Sequence, residues 1–246
     1  MSNPIGWCDR TWNPITGCRR GCEYCYARRM AQRLAGRYGY PADDPFRPTF
    51  HADKLLLPQT WKRPQRIFVC SMSDIVGGGV PNLWTGEVLG VADSCPRHTF
   101  IFLTKAPTRL DLFNPYPANA WVGATVDRRD VLEPTLAAMR DVKAPVKFLC
   151  FEPLLEDMGT WHLPDLSGIQ WIIIGAKTGP HPFQPEPKWV LDLVRAAVIA
   201  KARVYMKDNL AACEGTEYFA GGSQITSSGF SLPKLQQFPE MAHAGP

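Results

Sequence analysis

Six short apolar runs, spread along the chain and separated by helix-compatible stretches, constrain the fold more than any other feature. Ile67–Met72, Thr99–Thr104, Trp121–Val126, Val146–Phe151, Gln170–Gly175 and Arg203–Lys207 are rich in β-branched or aromatic residues. They lack strict apolar–polar alternation, which is the pattern of strands covered on both faces. Thr85–Cys95, Val131–Val142 and Lys188–Lys201 read as helices between them. The strands start about 22–33 residues apart, the length of a βα unit. A further strand at Thr11–Thr16 completes the set. The expectation is an α/β fold: a curved, partial or complete (β/α) barrel of parallel strands occupying residues 1–210 as one domain. With 246 residues, of which 45% are hydrophobic, the chain can bury a core of that size. Gly215–Gly229 and Pro233–Pro246 read as a loosely ordered tail over residues 211–246.

Before the first of these runs, Gly17-Cys-Arg-Arg-Gly-Cys-Glu-Tyr-Cys-Tyr26 places Cys18, Cys22 and Cys25 at C-x3-C-x2-C spacing. Three thiolates can hold three irons of a cubane [4Fe–4S] cluster and leave the fourth iron open to a small ligand. Two other readings stay open on spacing alone. A structural zinc site needs a fourth ligand, for which Cys8 and His51 are the candidates, because no second C-x2-C pair exists. The thiols can also be inert or redox-active. A disulfide scaffold does not fit 8 cysteines among 246 residues. The lone Cys70, Cys95, Cys150 and Cys213 read as small buried hydrophobes. Met1–Gly6 lacks a signal-peptide pattern and no apolar run has membrane-spanning length, so a cytoplasmic, reduced setting with no membrane is expected.

In parallel α/β barrels the chemistry sits where strands end. Here Ser71, Ser73 and Asp74 follow the first run and Thr104 and Lys105 the second. Thr125 and Asp127, then Glu152, then Lys177 and Thr178, then Lys207 and Asp208 follow the others. Turns also favour polar residues, so each has a purely structural reading beside the functional one. Glu152 stands out, because an acid within Phe-Glu-Pro-Leu-Leu should be partly buried and then needs a partner. Lys105 can meet an anion or simply place its ammonium in water. The charge is uneven: residues 1–66 hold 12 Lys or Arg against 5 acids, while the formal net charge is only +4. Arg28, Arg29, Arg33 and Arg37 fall in an acid-free stretch that reads as a helix burying Ala27, Met30, Ala31, Leu34, Ala35 and Tyr38. That face can be a solvated surface or can meet a polyanion.

Tyr24 before the last cysteine completes Cys-x-x-x-Cys-x-aromatic-Cys, which is similar to the cluster motif of radical S-adenosylmethionine (SAM) enzymes. Four segments extend the likeness: Thr11-Trp-Asn-Pro-Ile-Thr-Gly-Cys18, Phe68-Val-Cys-Ser-Met-Ser-Asp74, His98-Thr-Phe-Ile-Phe-Leu-Thr-Lys105 and Glu152-Pro-Leu-Leu155. Together they resemble the radical-SAM-related phage Gp37/Gp68-like ("three-Cys-motif") family over roughly residues 5–210. The resemblance implies a barrel of the radical-SAM (TIM-like) type with its cluster loop at 17–26. It also implies a [4Fe–4S] cluster on Cys18, Cys22 and Cys25, and SAM as second cofactor. Tyr24 would then lie against adenine, residues Ser71–Asp74 against the methionine end of SAM, and Thr125 and Asp127 near the ribose. Lys105 would face the SAM carboxylate or a substrate anion. The implied activity is reductive cleavage of SAM to a 5′-deoxyadenosyl radical, which abstracts hydrogen from a substrate the sequence does not name. A narrower form of the reading makes that substrate a nucleic acid or nucleotide. An external low-potential electron donor and a three-Cys-motif partner protein are the implied partners. Gly175-Ala-Lys-Thr-Gly179, with Lys177, and Lys207-Asp-Asn-Leu210 depart from the family's usual Gly-Gly-Glu-Ser-Gly and Lys-Gln-Trp-Gly. The competing class is a zinc-stabilised nucleic-acid-binding protein without catalysis.

Overall fold

The main-sheet strands of each compact unit run parallel, and the chain reaches them in sequence order. The computed structural model describes residues 5–159, 164–210, 218–220, 223–225 and 235–240. In chain order the elements begin with β1 (Arg10–Trp12), β2 (Ile15–Thr16), α1 (Tyr26–Arg33), β3 (Thr49–Phe50), α2 (Ala52–Leu55) and β4 (Arg66–Val69). Then come α3 (Asn82–Asp93), β5 (Thr99–Thr104), β6 (Ala120–Thr125), α4 (Leu132–Asp141) and β7 (Val146–Phe151). The last are β8 (Trp171–Ile174), α5 (Pro187–Ile199), β9 (Arg203–Met206), β10 (Tyr218–Ala220) and β11 (Ser223–Ile225). The class is α/β, with the parallel βα succession of a partial (β/α) barrel.

The residues fall into two compact units. One runs up to Thr125 and includes Ala137–Lys147; the other holds Val126–Leu136 and the chain from Phe148 onward. In the first unit the strand order is β1-β4-β5-β6, all parallel, with Arg10 opposite Ile67, Ile67 opposite Phe100 and Phe100 opposite Ala120. Ile67, Phe100 and Ile101 are fully buried. Each such side chain contributes about 1.5–3 kcal/mol by leaving water. Trp7 packs on Phe68 with ring centres 4.6 Å apart and Trp12 meets Phe100 edge-on at 5.7 Å. The Trp12 indole donates to the Lys54 carbonyl at 2.9 Å, so its polar tip is satisfied inside the core.

In the second unit β7, β8 and β9 pair in parallel, with Phe148 opposite Trp171 and Trp171 opposite Arg203. All four residues of β8 are completely buried, which explains their unbroken apolar pattern. α5 starts with Pro187 at its first position and buries Val190, Leu191, Leu193 and Val194.

Several boundaries differ from the sequence reading. Thr11–Thr16 is not one strand. β1 stops at Trp12, and Ile15–Thr16 turns away to pair antiparallel with Thr49–Phe50. The Asn13-Pro14 step separates them, and Pro14 has no N–H for a sheet ladder. The run expected at Ile67–Met72 ends at Val69, because Cys70 adopts a left-handed backbone (φ +55°). α1 ends at Arg33, short of Tyr38. Ala27 and Ala31 are buried as expected, but Met30 and Tyr38 are exposed (43% and 75%). Within the tail expected to be loose, Leu235–Glu240 is ordered against β9: Met206 N–H donates to the Leu235 carbonyl and Gln237 N–H to Val204. Phe238 packs on Tyr205 and Trp171 with ring centres 5.3 and 5.8 Å away. These ring contacts and backbone hydrogen bonds anchor it. Cys213 and most of Gly215–Gly229 lie outside the described residues. Cys70, Cys95 and Cys150 are buried as read. Among the described residues, no helix is long and apolar enough to cross a membrane.

Candidate functional site

The thiol loop is held from three sides within the first unit. Gly17 has φ +84°, and a Cβ there would stand 2.0 Å from the Arg47 carbonyl oxygen, so only glycine passes. Its N–H donates to the Met72 carbonyl at 2.9 Å, its carbonyl accepts from the Ser73 hydroxyl, and Cys18 N–H donates to Phe46. From the far side, the Arg20 guanidinium donates to the Lys105 carbonyl, and Arg28 to the Arg20 carbonyl at 2.9 Å. These contacts tie residues 17–28 to the ends of β4 and β5.

All three thiols are half-exposed and free. Cys25 is the N-cap of α1: its sulfur accepts the Arg28 N–H at 3.3 Å, while the Cys18 sulfur accepts the Arg20 N–H at 3.3 Å. A sulfur at a helix start faces the positive end of the peptide dipoles, and α1 has no acid in its first turn. Burial pushes the Cys18 thiol above its ordinary pKa, opposed by the Arg20 N–H; the charges of Asp74, Cys22 and Cys25 push it further up. Among the described residues, however, no three His, Cys, Asp or Glu side chains are gathered as a metal-holding group.

Asp74 is the hub of the strand ends. It is buried, and its carboxylate accepts the Thr104 hydroxyl and the Lys105 N–H, the latter at 2.9 Å. Those bonds satisfy a charge that would otherwise be costly inside the protein. They also fix the backbone from which Lys105 reaches the Tyr24 phenol. The hydroxyls of Ser71 and Ser73 are taken up locally: Ser71 donates to the Asn13 side-chain oxygen at 3.1 Å, and Ser73 to Gly17. Asn13 accepts the Met72 N–H as well, and Tyr26 donates its hydroxyl to the Ser71 carbonyl. Thr125, at the end of β6, is buried. The structure thus brings Tyr24, Asp74 and Lys105 together beside the cysteine loop and uses Ser71 and Ser73 to hold that loop. Sequence reasoning missed Asn13, Arg20 and Tyr26. Asn13, before a proline and just past a strand, carried the only available signal, that of a side chain capping a turn.

Asp127 and Glu152 belong to the second unit. Asp127 is half-exposed. Glu152, with its side chain 23% exposed, is paired at 2.5 Å with the ammonium of Lys207, which is 15% exposed. This supplies the partner that a partly buried acid requires, and it joins the ends of β7 and β9. Gly175, at the end of β8, lies under the pair: a Cβ there would come 2.9 Å from Glu152 Cγ and 3.1 Å from Lys207 Cδ. Lys177 makes a backbone bridge to Phe183 in both directions, each 3.1 Å.

A parallel α/β unit with a thiol loop at the end of its first strands, bounded by a buried acid and a lysine–tyrosine contact, is the class of protein these observations define. The chain belongs to a family described as "Protein of unknown function (DUF5131)", whose model matches residues 2–214. That description names no activity, cofactor or substrate. No curated protein and no solved structure matches the chain.

Proposed function

We propose that this chain is a radical SAM enzyme of the three-Cys-motif type, in which Cys18, Cys22 and Cys25 ligate a [4Fe–4S] cluster that also binds S-adenosyl-L-methionine. The observation that carries the reading is the thiol loop: three half-exposed cysteines at C-x3-C-x2-C spacing, with Cys25 capping α1. The donor set suits iron–sulfur ligation. Backbone N–H groups already directed at two of the sulfurs are the kind of bond that tunes such a cluster's potential. Because the side chains are not gathered as described, ligation requires the loop's thiols to turn toward one another.

A [4Fe–4S] cluster held by Cys18, Cys22 and Cys25 would, with SAM and one electron from an external low-potential donor, supply hydrogen-atom abstraction from a substrate, with methionine as the leaving product. The protein's own residues perform the positioning. Asp74 fixes the Lys105 backbone, Lys105 places a positive charge at the loop and holds the Tyr24 ring, and Arg20 and Ser73 keep the loop closed on β4 and β5. A carboxylate or phosphate arriving at the loop would meet the Lys105 ammonium beside the Tyr24 ring. The roles of Thr125 and Asp127 toward a ribose, and the three-Cys-motif partner protein, rest on the resemblance. Reduced thiols suit a cytoplasmic setting.

The test is product formation. Anaerobically reconstituted protein given dithionite and SAM should release 5′-deoxyadenosine and methionine. Cys18→Ala, Cys22→Ala and Cys25→Ala should each release none. Equal product from the variants, or none from the parent, rejects the reading.

A further inference from the structure

The outer face of α1 carries an arrangement that neither the core nor the thiol loop explains. Ala27 and Ala31 face inward, so Arg29, Met30 and Arg33, at i, i+1 and i+4, lie on the opposite side. Met30 is 43% exposed. Arg37 continues this side, donating to the Arg33 carbonyl at 2.7 Å. None of Arg29, Arg33 and Arg37 has a carboxylate partner among the described residues, and no acid occurs between Tyr26 and Ala42.

The turn after the helix presents one more aromatic. Tyr38 is 75% exposed although it sits at φ +53°, a backbone region costly for a bulky residue. Gly36 and Gly39 flank it at φ +72° and +82°, and the turn is closed by Gly36 N–H to the Tyr40 carbonyl and Tyr40 N–H to Arg37. Gly39 lies against the His51 ring, where a Cβ would be 2.8 Å away. Lys54 donates to the Tyr38 carbonyl at 3.3 Å. The turn is thus built to hold a strained tyrosine out in water beside a row of arginines.

We infer that this face binds single-stranded nucleic acid, with the arginines on successive phosphates and the Tyr38 ring stacked on a base. Charge complementarity requires a polyanion. A duplex keeps its bases stacked inside and gives an outward tyrosine nothing to stack on, whereas an open strand offers a ring face at every nucleotide. Binding by α1 would deliver the strand next to Cys25, the cap of the same helix. Its consequence for chemistry rests on the radical SAM reading; the binding itself does not.

The experiment is fluorescence anisotropy of the full chain with labelled 20-nucleotide oligo-dT and oligo-rU across a salt series. Both should bind at low salt. Tyr38→Ala should weaken binding by about tenfold, the stacking of one base. The triple change Arg29→Gln, Arg33→Gln, Arg37→Gln should make the log K against log salt slope shallower by about 2, at about 0.7 per phosphate contact. Both variants should keep the parent melting temperature within a few degrees. Absence of binding, binding unaltered by both variants, or tighter binding to a 20-base-pair duplex or to anionic vesicles overturns the inference. No iron or SAM is needed, so this failure is distinct from failure to cleave SAM.

Discussion

The ammonium of Lys105 lies 4.9 Å from the centre of the Tyr24 ring and donates to the same residue's phenolic oxygen. This double contact locks the residue beside Cys25 to the end of β5. The two side chains therefore act as a unit. Tyr24→Phe keeps the ring but removes the acceptor and should cost about 1 kcal/mol; Lys105→Met removes both contacts. In a double-mutant cycle by urea denaturation, the coupling should be about 1 kcal/mol. Strict additivity would show that the contact carries no energy.

Gly17 admits no side chain. Gly17→Ala combines a left-handed backbone with a carbonyl oxygen 2.0 Å from the new Cβ. It should destabilise the protein by about 2–4 kcal/mol, more than the strain of the dihedral alone. Equilibrium unfolding should show this as a lower denaturant midpoint, and the reactivity of Cys18 toward alkylation should rise as the loop opens. An unchanged midpoint would contradict the close approach.

The Glu152–Lys207 pair joins the ends of β7 and β9 with both side chains largely covered. Removing either partner leaves a charge with little water. Glu152→Gln or Lys207→Met should cost about 2–3 kcal/mol, below the 3–5 of a fully buried pair because some exposure remains. The double variant should recover part of that loss. Gly175→Ala should also destabilise, since its Cβ meets both partners.

Stability should fall in mild acid. Burial lowers the pKa of His51, helped by Lys54, and burial likewise lowers that of His98. His51 is bonded to the Thr16 hydroxyl at 2.7 Å, and His98 Nε2 to the Pro58 carbonyl at 3.1 Å. Both stay neutral in the folded state at pH values where the unfolded chain, with a histidine pKa of about 6.5, already binds protons. Since stability rises with pH wherever the unfolded state binds more protons, it should be full above about pH 6.5. It should then decline as the pH drops from there toward the depressed folded-state values. Melting temperatures from pH 7.5 to 5 should show the decline, and His51→Gln should flatten it. A flat profile would mean that neither histidine is held neutral.

The parallel βα succession was legible because β5, β7 and β8 bury nearly every residue and so read as unbroken apolar runs. The thiol loop was legible from spacing. What escaped was how backbone geometry spends polar side chains. Ser71 and Ser73 look like ligand contacts in the sequence, yet their hydroxyls go to Asn13 and Gly17, because the left-handed Cys70 turns the chain back toward β1. Tyr38 continues a helical core pattern in the sequence. The helix nevertheless ends at Arg33, and Gly36 opens a turn that carries Tyr38 outward. The carboxylate partner of Lys207 lies 55 residues away, a separation that no local pattern reports.

Metal content tests the central claim most directly. Anaerobic reconstitution followed by iron, sulfide and zinc analysis should give about four irons per chain with a broad absorption at about 400 nm. The reduced-state EPR spectrum should change when SAM is added, and both signatures should be lost on Cys18→Ala, Cys22→Ala or Cys25→Ala. One zinc and no iron per chain, or iron retained by all three variants, would contradict the account.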